Sequence, residues 1–144
     1  MKSYIGIDPG MAGGISILSE GVKPYAVKMP ETERDVFDTL KSLKNWHDTD
    51  AVAVIEKVHS MPGQGVASSF TFGKGYGALR MALIALEIPY REVTPQTWQK
   101  ALGCMTKGNK NVSKERAQQL FPMLKITHAI ADSLLLAEWL RRQP

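Results

Sequence analysis

Apolar positions in this chain fall first into short runs and then into longer stretches with a period near 3.6. Tyr4, Ile5 and Ile7 in SYIGID (3–8) make a short apolar run that ends in an acid followed by Pro9-Gly10, as a buried strand cut by a turn would. After Gly13-Gly14, Ile15, Ile17 and Leu18 predict a second strand close enough to pair with the first as a hairpin. Gly21 turns the chain again, into a third strand around Tyr25-Ala26-Val27. Residues 31–46 then set Val36, Phe37, Leu40, Leu43 and Trp46 three and four apart, an amphipathic helix that starts near Glu31 or Thr32. Ala51 to Ile55 is apolar without interruption, which predicts a strand covered on both faces, and it ends at Glu56.

Beyond a Pro/Gly loop (61–65), residues 66–88 read as a long helix containing Phe70, Leu79, Leu83 and Leu86, with Phe70 and Phe72 expected to pack inward. Gly73, Gly75 and Gly77 inside it should each cost about 1 kcal/mol relative to alanine, so another backbone is expected close by. Tyr90 to Val93 resembles a fifth strand, and Pro95 suits the first turn of a short helix whose Trp98 belongs in the core. A polar, basic loop (103–112) precedes a helix opened by Ser113 and stopped by Pro122, and a last helix runs from about Ala129 to Arg141. Three leading strands joined by short turns must be antiparallel neighbours, whereas strands reached through crossover helices should be parallel. The expected architecture is α/β: a five-stranded mixed sheet flanked by helices on both faces, one domain over residues 1–144.

Composition narrows the class. The chain has 144 residues, 44% apolar and 22% charged, values that argue against a disordered tail, a collagen-like fibre or a coiled coil. No run approaches the roughly 18 apolar residues of a membrane helix, and no secretory signal is visible. The single cysteine, Cys104, cannot close an internal disulfide, makes a structural zinc site unattractive and suits a reducing cytosol. The expectation is a soluble, cytoplasmic protein. Net charge is +4, unevenly spread: six Lys and Arg face nine Asp and Glu in 1–56, but nine face three in 57–116. An acidic part joined to a basic one fits a polyanion touched by one side.

Three acids sit where apolar elements normally avoid them. Asp8 ends the first strand, Glu56 ends the central one, and Asp132 lies early on the last apolar helix. Ligands gather at the carboxyl ends of parallel strands, so Asp8 and Glu56 converge if their strands are neighbours. Each acid alone has an ordinary explanation, as a turn residue, an exposed strand end or a helix N-terminal charge. Together they would repel unless a cation neutralised them, and Mg2+ or Mn2+ prefers such oxygen ligands. Two ions about 3.5–4 Å apart could activate water on one side of a phosphodiester and the leaving oxygen on the other.

The segments YIGIDPG (4–10), VAVIEKV (52–58) and HAIADSLLLAEW (128–139) resemble the acidic motifs of RuvC-type Holliday junction resolvases, of the ribonuclease H-like superfamily. FGKGYGALRMAL (72–83), IPYREVTPQTWQKALG (88–103) and SKERAQQLFP (113–122) resemble the phage and bacterial branch of that family, in the same order along nearly the whole chain. The resemblance implies a ribonuclease H-like fold and a divalent-metal-dependent endodeoxyribonuclease with two Mg2+ or Mn2+ ions. It implies that Asp8, Glu56 and Asp132 bind the metals. Relatives often carry a second aspartate one helical turn before the last acid, where this chain has His128, which implies a metal ligand or general acid/base there.

Lys107, Lys110, Lys114 and Arg116 lie within ten residues and suit phosphate contact, which positions DNA without reading its sequence. Lys114 and Lys100 resemble family lysines that reach the backbone near the cut. His59 falls in the loop where relatives place an aromatic wedge. The implied substrate is branched DNA, four-way junctions and possibly forks or flaps, in a bacterial or phage-encoded setting. Actin-like ATPases also follow a strand with Asp-x-Gly but need two such domains, so no nucleotide cofactor is expected. A ribonuclease H-like nuclease for another nucleic acid, or a non-catalytic branched-DNA-binding module, are the alternatives. Paired incisions need two sites, so a homodimer is expected, joined through the long helix by Gly73, Gly75 and Gly77 with Leu79, Leu83 and Leu86 as apolar surface.

Overall fold

The computed structural model describes residues 1–58 and 63–144. Its strands are β1 (Lys2–Asp8), β2 (Gly14–Ser19), β3 (Val22–Lys28), β4 (Asp50–Glu56) and β5 (Tyr90–Val93). Its helices are α1 (Glu33–Leu43), α2 (Val66–Ala85), α3 (Pro95–Ala101), α4 (Lys110–Leu120) and α5 (His128–Arg141). The strands form one sheet in the order β3-β2-β1-β4-β5. β1 pairs antiparallel with β2, and β2 with β3, while β4 runs parallel to both β1 and β5. The mixed five-stranded α/β sheet is therefore as the hydrophobic pattern predicts. No helix among the described residues is long and apolar enough to cross a membrane.

Strand alternation splits the core in two. Ile5, Ile7, Ala53 and Ile55 face one side, where Leu40 and Leu43 of α1 and Leu79 and Leu83 of α2 cover them. Val54 and Val93 face the other side, against Trp98 of α3, Ala117 of α4 and Leu134 and Leu135 of α5. Gly6 lies on that second side, under α5. A Cβ there would come within 2.5 Å of the Ala137 nitrogen and closer still to the Ser133 carbonyl oxygen, so only glycine lets the helix seat this tightly. The buried hydroxyls of Ser16 on β2 and Ser133 on α5 are hydrogen-bonded across the same contact, which satisfies both.

Helix boundaries show where local chemistry overrode periodicity. Thr32 caps α1, accepting from the Asp35 amide at 3.0 Å, which fixes the start between the two candidates. α4 begins at Lys110 rather than Ser113, because the Asn109 side chain accepts from the Asn111 amide at 3.0 Å and caps it early. Two expectations for α2 fail. Phe70 is 71% exposed instead of packed, and Leu79, Leu83 and Leu86 are buried against the chain's own sheet. Among the described residues outside the adjoining turns of α2 itself, a Cβ on Gly73, Gly75 or Gly77 would meet nothing within 4 Å, so no other backbone packs on them there.

Candidate active site

β1 and β4 are parallel neighbours paired as far as Ile7↔Ile55, so Asp8 and Glu56 occupy the next rung, at the carboxyl ends of both strands. The residues before them, Ile7 and Ile55, point into the α1/α2 side of the core. Alternation therefore turns both acids to the α5 side. There Asp132, in the second turn of α5, completes a cleft of about 380 Å³ lined by Asp8, Glu56, Asp132, His128, Lys110 and Ser113 together with the 9–13 loop. Gly13 lets that loop fold back, since a Cβ on it would run into the Asp8 carbonyl.

The three carboxyl groups are crowded and short of counter-charge. Among the described residues none of them forms a salt bridge. Burial, then the charges of Glu56 and Asp132, pushes the Asp8 carboxyl well above the usual carboxylate range, and Lys110 pulls the other way. Glu56 is pushed up to about 7, chiefly by burial and further by Asp132, against the hydrogen bond it accepts from Trp98. Asp132 is raised by burial, opposed by the Ser113 hydroxyl, Lys110 and His128. A cluster that resists ionisation on its own is one that a hard cation would stabilise.

The donor set fits such a cation: three carboxylates with an imidazole at the rim, oxygen-rich and hard. Among the described residues no group of three or more His, Cys, Asp or Glu side chains is drawn together into a finished cage. His128 is the first residue of α5, exposed, and four positions before Asp132 it shares that residue's helical face.

The basic residues separate into two groups. Lys110, the first residue of α4, is the one lysine lining the cleft among the described residues, a closer position than that of Lys114, which is half-buried on the same helix. Lys100 in the last turn of α3 and Lys107 in the link between α3 and α4 are exposed and lie outside the cleft. Arg116 donates from Nε to the Leu102 carbonyl at 2.9 Å, which ties α4 to the end of α3. His59 lies outside the described residues. Hydrophobic pattern alone assigns Trp98 only to the core and Ser113 only to a helix start, whereas both act on the acids of the cleft. A fully buried indole must find an acceptor for its N–H, and the polar residue that could take it was Glu56.

The family model for crossover junction endodeoxyribonuclease RuvC matches residues 4–138. The chain belongs to the RuvC family. The solved Thermus thermophilus RuvC structure is similar at 16% identity with a TM-score of 0.66, over 95% of this chain and 92% of that one. The structure of T. thermophilus RuvC in complex with Holliday junction substrate is similar at 15% identity with a TM-score of 0.67, over 96% and 92%. No match is found among curated proteins. The two structural likenesses establish the RuvC fold for this chain, and the RuvC family is one of crossover junction endodeoxyribonucleases.

Proposed function

We propose that this RuvC-family chain resolves Holliday junctions by paired phosphodiester hydrolysis, with Asp8, Glu56 and Asp132 holding two Mg2+ or Mn2+ ions. The observation that carries the reading is the crowding of three acids at one cleft with no salt-bridged partner among the described residues. Bound cations would supply the positive charge that activates water and stabilises the leaving oxygen. The protein's own groups set the geometry. The strand ends fix Asp8 and Glu56, α5 brings Asp132 over them, and His128 stands at the rim as a fourth ligand or a proton carrier. Lys110 offers an ammonium group beside the carboxylates for a phosphate oxygen. Lys100, Lys107 and Lys114, with Arg116 and His59, are the proposed contacts to the flanking DNA backbone. Residues 1–144 act as one nuclease domain, in the cytoplasm of a bacterial or phage-infected cell.

Two opposed cuts require two clefts, and the outer face of α2 supports a homodimer. Val66, Phe70, Met81 and Ile84 are exposed and fall within one narrow helical stripe, with Gly73 and Gly77 between them facing open space. The chain's own core uses the opposite stripe, so this one is left for a second copy. The test offers four-way, three-way, flap and linear DNA with Mg2+ or Mn2+ and maps the cuts. Symmetric incision of the four-way junction, lost on chelation and on Asp8→Asn while binding persists, is the expected result. Binding without any metal-dependent cutting would replace this reading with that of a branched-DNA-binding module.

A further inference from the structure

Trp98 is completely buried, on the short helix α3, among Val93, Leu102, Cys104 and Leu135. Its indole nitrogen can only donate, and it donates to Glu56 Oε2 at 2.7 Å, the short end of the ordinary range. Glu56 is itself only 8% exposed, yet it lines the cleft. Among the described residues its other oxygen, Oε1, has no hydrogen-bond partner. Turning Oε2 into the cleft would strand a buried N–H in an apolar core, where an unpaired donor is costly. The carboxylate is therefore held in one orientation from behind, by a residue with no access to substrate.

We propose that Trp98 is a positioning residue for the cation site: by holding Oε2 from behind it fixes the Glu56 carboxylate and keeps Oε1, free of hydrogen bonds among the described residues, to offer a divalent ion. This rests on the reading of the cleft as a metal site and goes beyond it by assigning the group that orients one ligand. Partners that hold a ligand in this way typically contribute 10- to 100-fold to metal affinity or activity. A purely structural tryptophan would contribute packing and no sensitivity to the ion.

The test titrates Mg2+ into the 15N-labelled full chain without DNA and follows the indole N–H resonances of Trp46, Trp98 and Trp139. Trp98→Phe, which keeps the aromatic bulk and removes the donor, assigns the Trp98 signal. The Trp98 resonance should move in step with the backbone amides of Asp8 and Asp132, while those of Trp46 and Trp139 stay. Movement of the Asp8 and Asp132 amides with a fixed Trp98 signal overturns the positioning role and leaves the metal site standing. No movement anywhere removes both. Calorimetry on folded Trp98→Phe should show Mg2+ binding weakened about 10-fold; unchanged affinity also overturns the proposal. If the variant does not fold, the wild-type titration decides alone, its three indole signals assigned through Trp46→Phe and Trp139→Phe.

Discussion

The two long apolar helices, α5 and α2, cover opposite faces of the same sheet and are finished in opposite ways. Nine of the fourteen residues of α5 are buried, and it presses on Gly6 so closely that no side chain fits between. α2 has twenty residues, of which Leu79, Ala82 and Leu83 are buried, and an apolar stripe of it looks outward. The tight helix carries Asp132 to the strand ends; the loose one carries no residue of the carboxylate cleft. Precision in this fold is spent where charges must be held at defined distances against their own repulsion. The α2 face needs only to be apolar and open, which suits an assembly surface.

Removing one carboxylate should separate these demands most sharply. Asp8→Asn should lower junction cleavage by roughly 10³-fold, in a gel assay with Mg2+, while leaving binding intact. The same change removes a buried group held above its ordinary ionisation range, so the metal-free variant should melt at a higher temperature than wild type. A variant that cuts normally, or that is less stable without metal, contradicts the reading of the cleft. Gly6→Val should be the next largest effect. It forces a side chain into the α5 backbone and should cost about 3 kcal/mol or more by denaturant titration, where Gly77→Ala on α2 should gain up to about 1 kcal/mol.

The two regions also differed in how far the sequence alone revealed them. The antiparallel leading strands and the interior parallel β4 were legible because a hairpin forces antiparallel pairing and an uninterrupted apolar run marks a strand covered on both faces, whereas the meeting of Asp8 with Glu56 depended on β1 and β4 being neighbours, which they are. Asp132 was legible because an acid on a strongly apolar helix has few places to go. Periodicity could not tell the inner stripe of α2 from the outer one, since both are apolar, and so Phe70 was assigned inward and the leucines outward. Nor could it show the Trp98 bond to Glu56, which joins residues 42 positions apart through tertiary packing. Lys110 rather than Lys114 lines the cleft because an Asn109 cap starts α4 three residues before Ser113.

Acidity gives a third measure of the contrast. Glu56 is held near 7 in the fold, against 4.5 for its ordinary value, so the native state keeps a proton that the unfolded chain has lost. Between those values the folded protein binds more protons, and its stability falls as pH rises. The loss is complete above about 7 and should be on the order of 3 kcal/mol, with Asp8 and Asp132 adding in the same direction. Thermal melts with EDTA should therefore show a lower midpoint at pH 8 than at pH 5. Mg2+ at about 100 times its Kd should restore roughly 2.7 kcal/mol at pH 8 and much less at pH 5, where protonated carboxyls bind it poorly. A midpoint that is flat with pH would mean that neither burial nor mutual charge holds these acids above their ordinary range.

The smallest effect on the folded monomer should come from the outer stripe of α2, and there the expected change is in assembly. Phe70→Glu combined with Met81→Glu replaces side chains that the monomer leaves in solvent, so the denaturant midpoint should stay within about 0.5 kcal/mol of wild type. Two buried glutamates per copy, four at a two-fold contact, would face one another without partners, which a dimer cannot tolerate. Sedimentation at micromolar concentration should then move from dimer to monomer. A junction with one strand labelled at each end should show single nicks in place of the paired, symmetric cuts. Each cleft in that monomer retains its carboxylates, so the nicking of any one strand should persist. Dimers that survive both substitutions would place the contact elsewhere and leave the open stripe of α2 without this role.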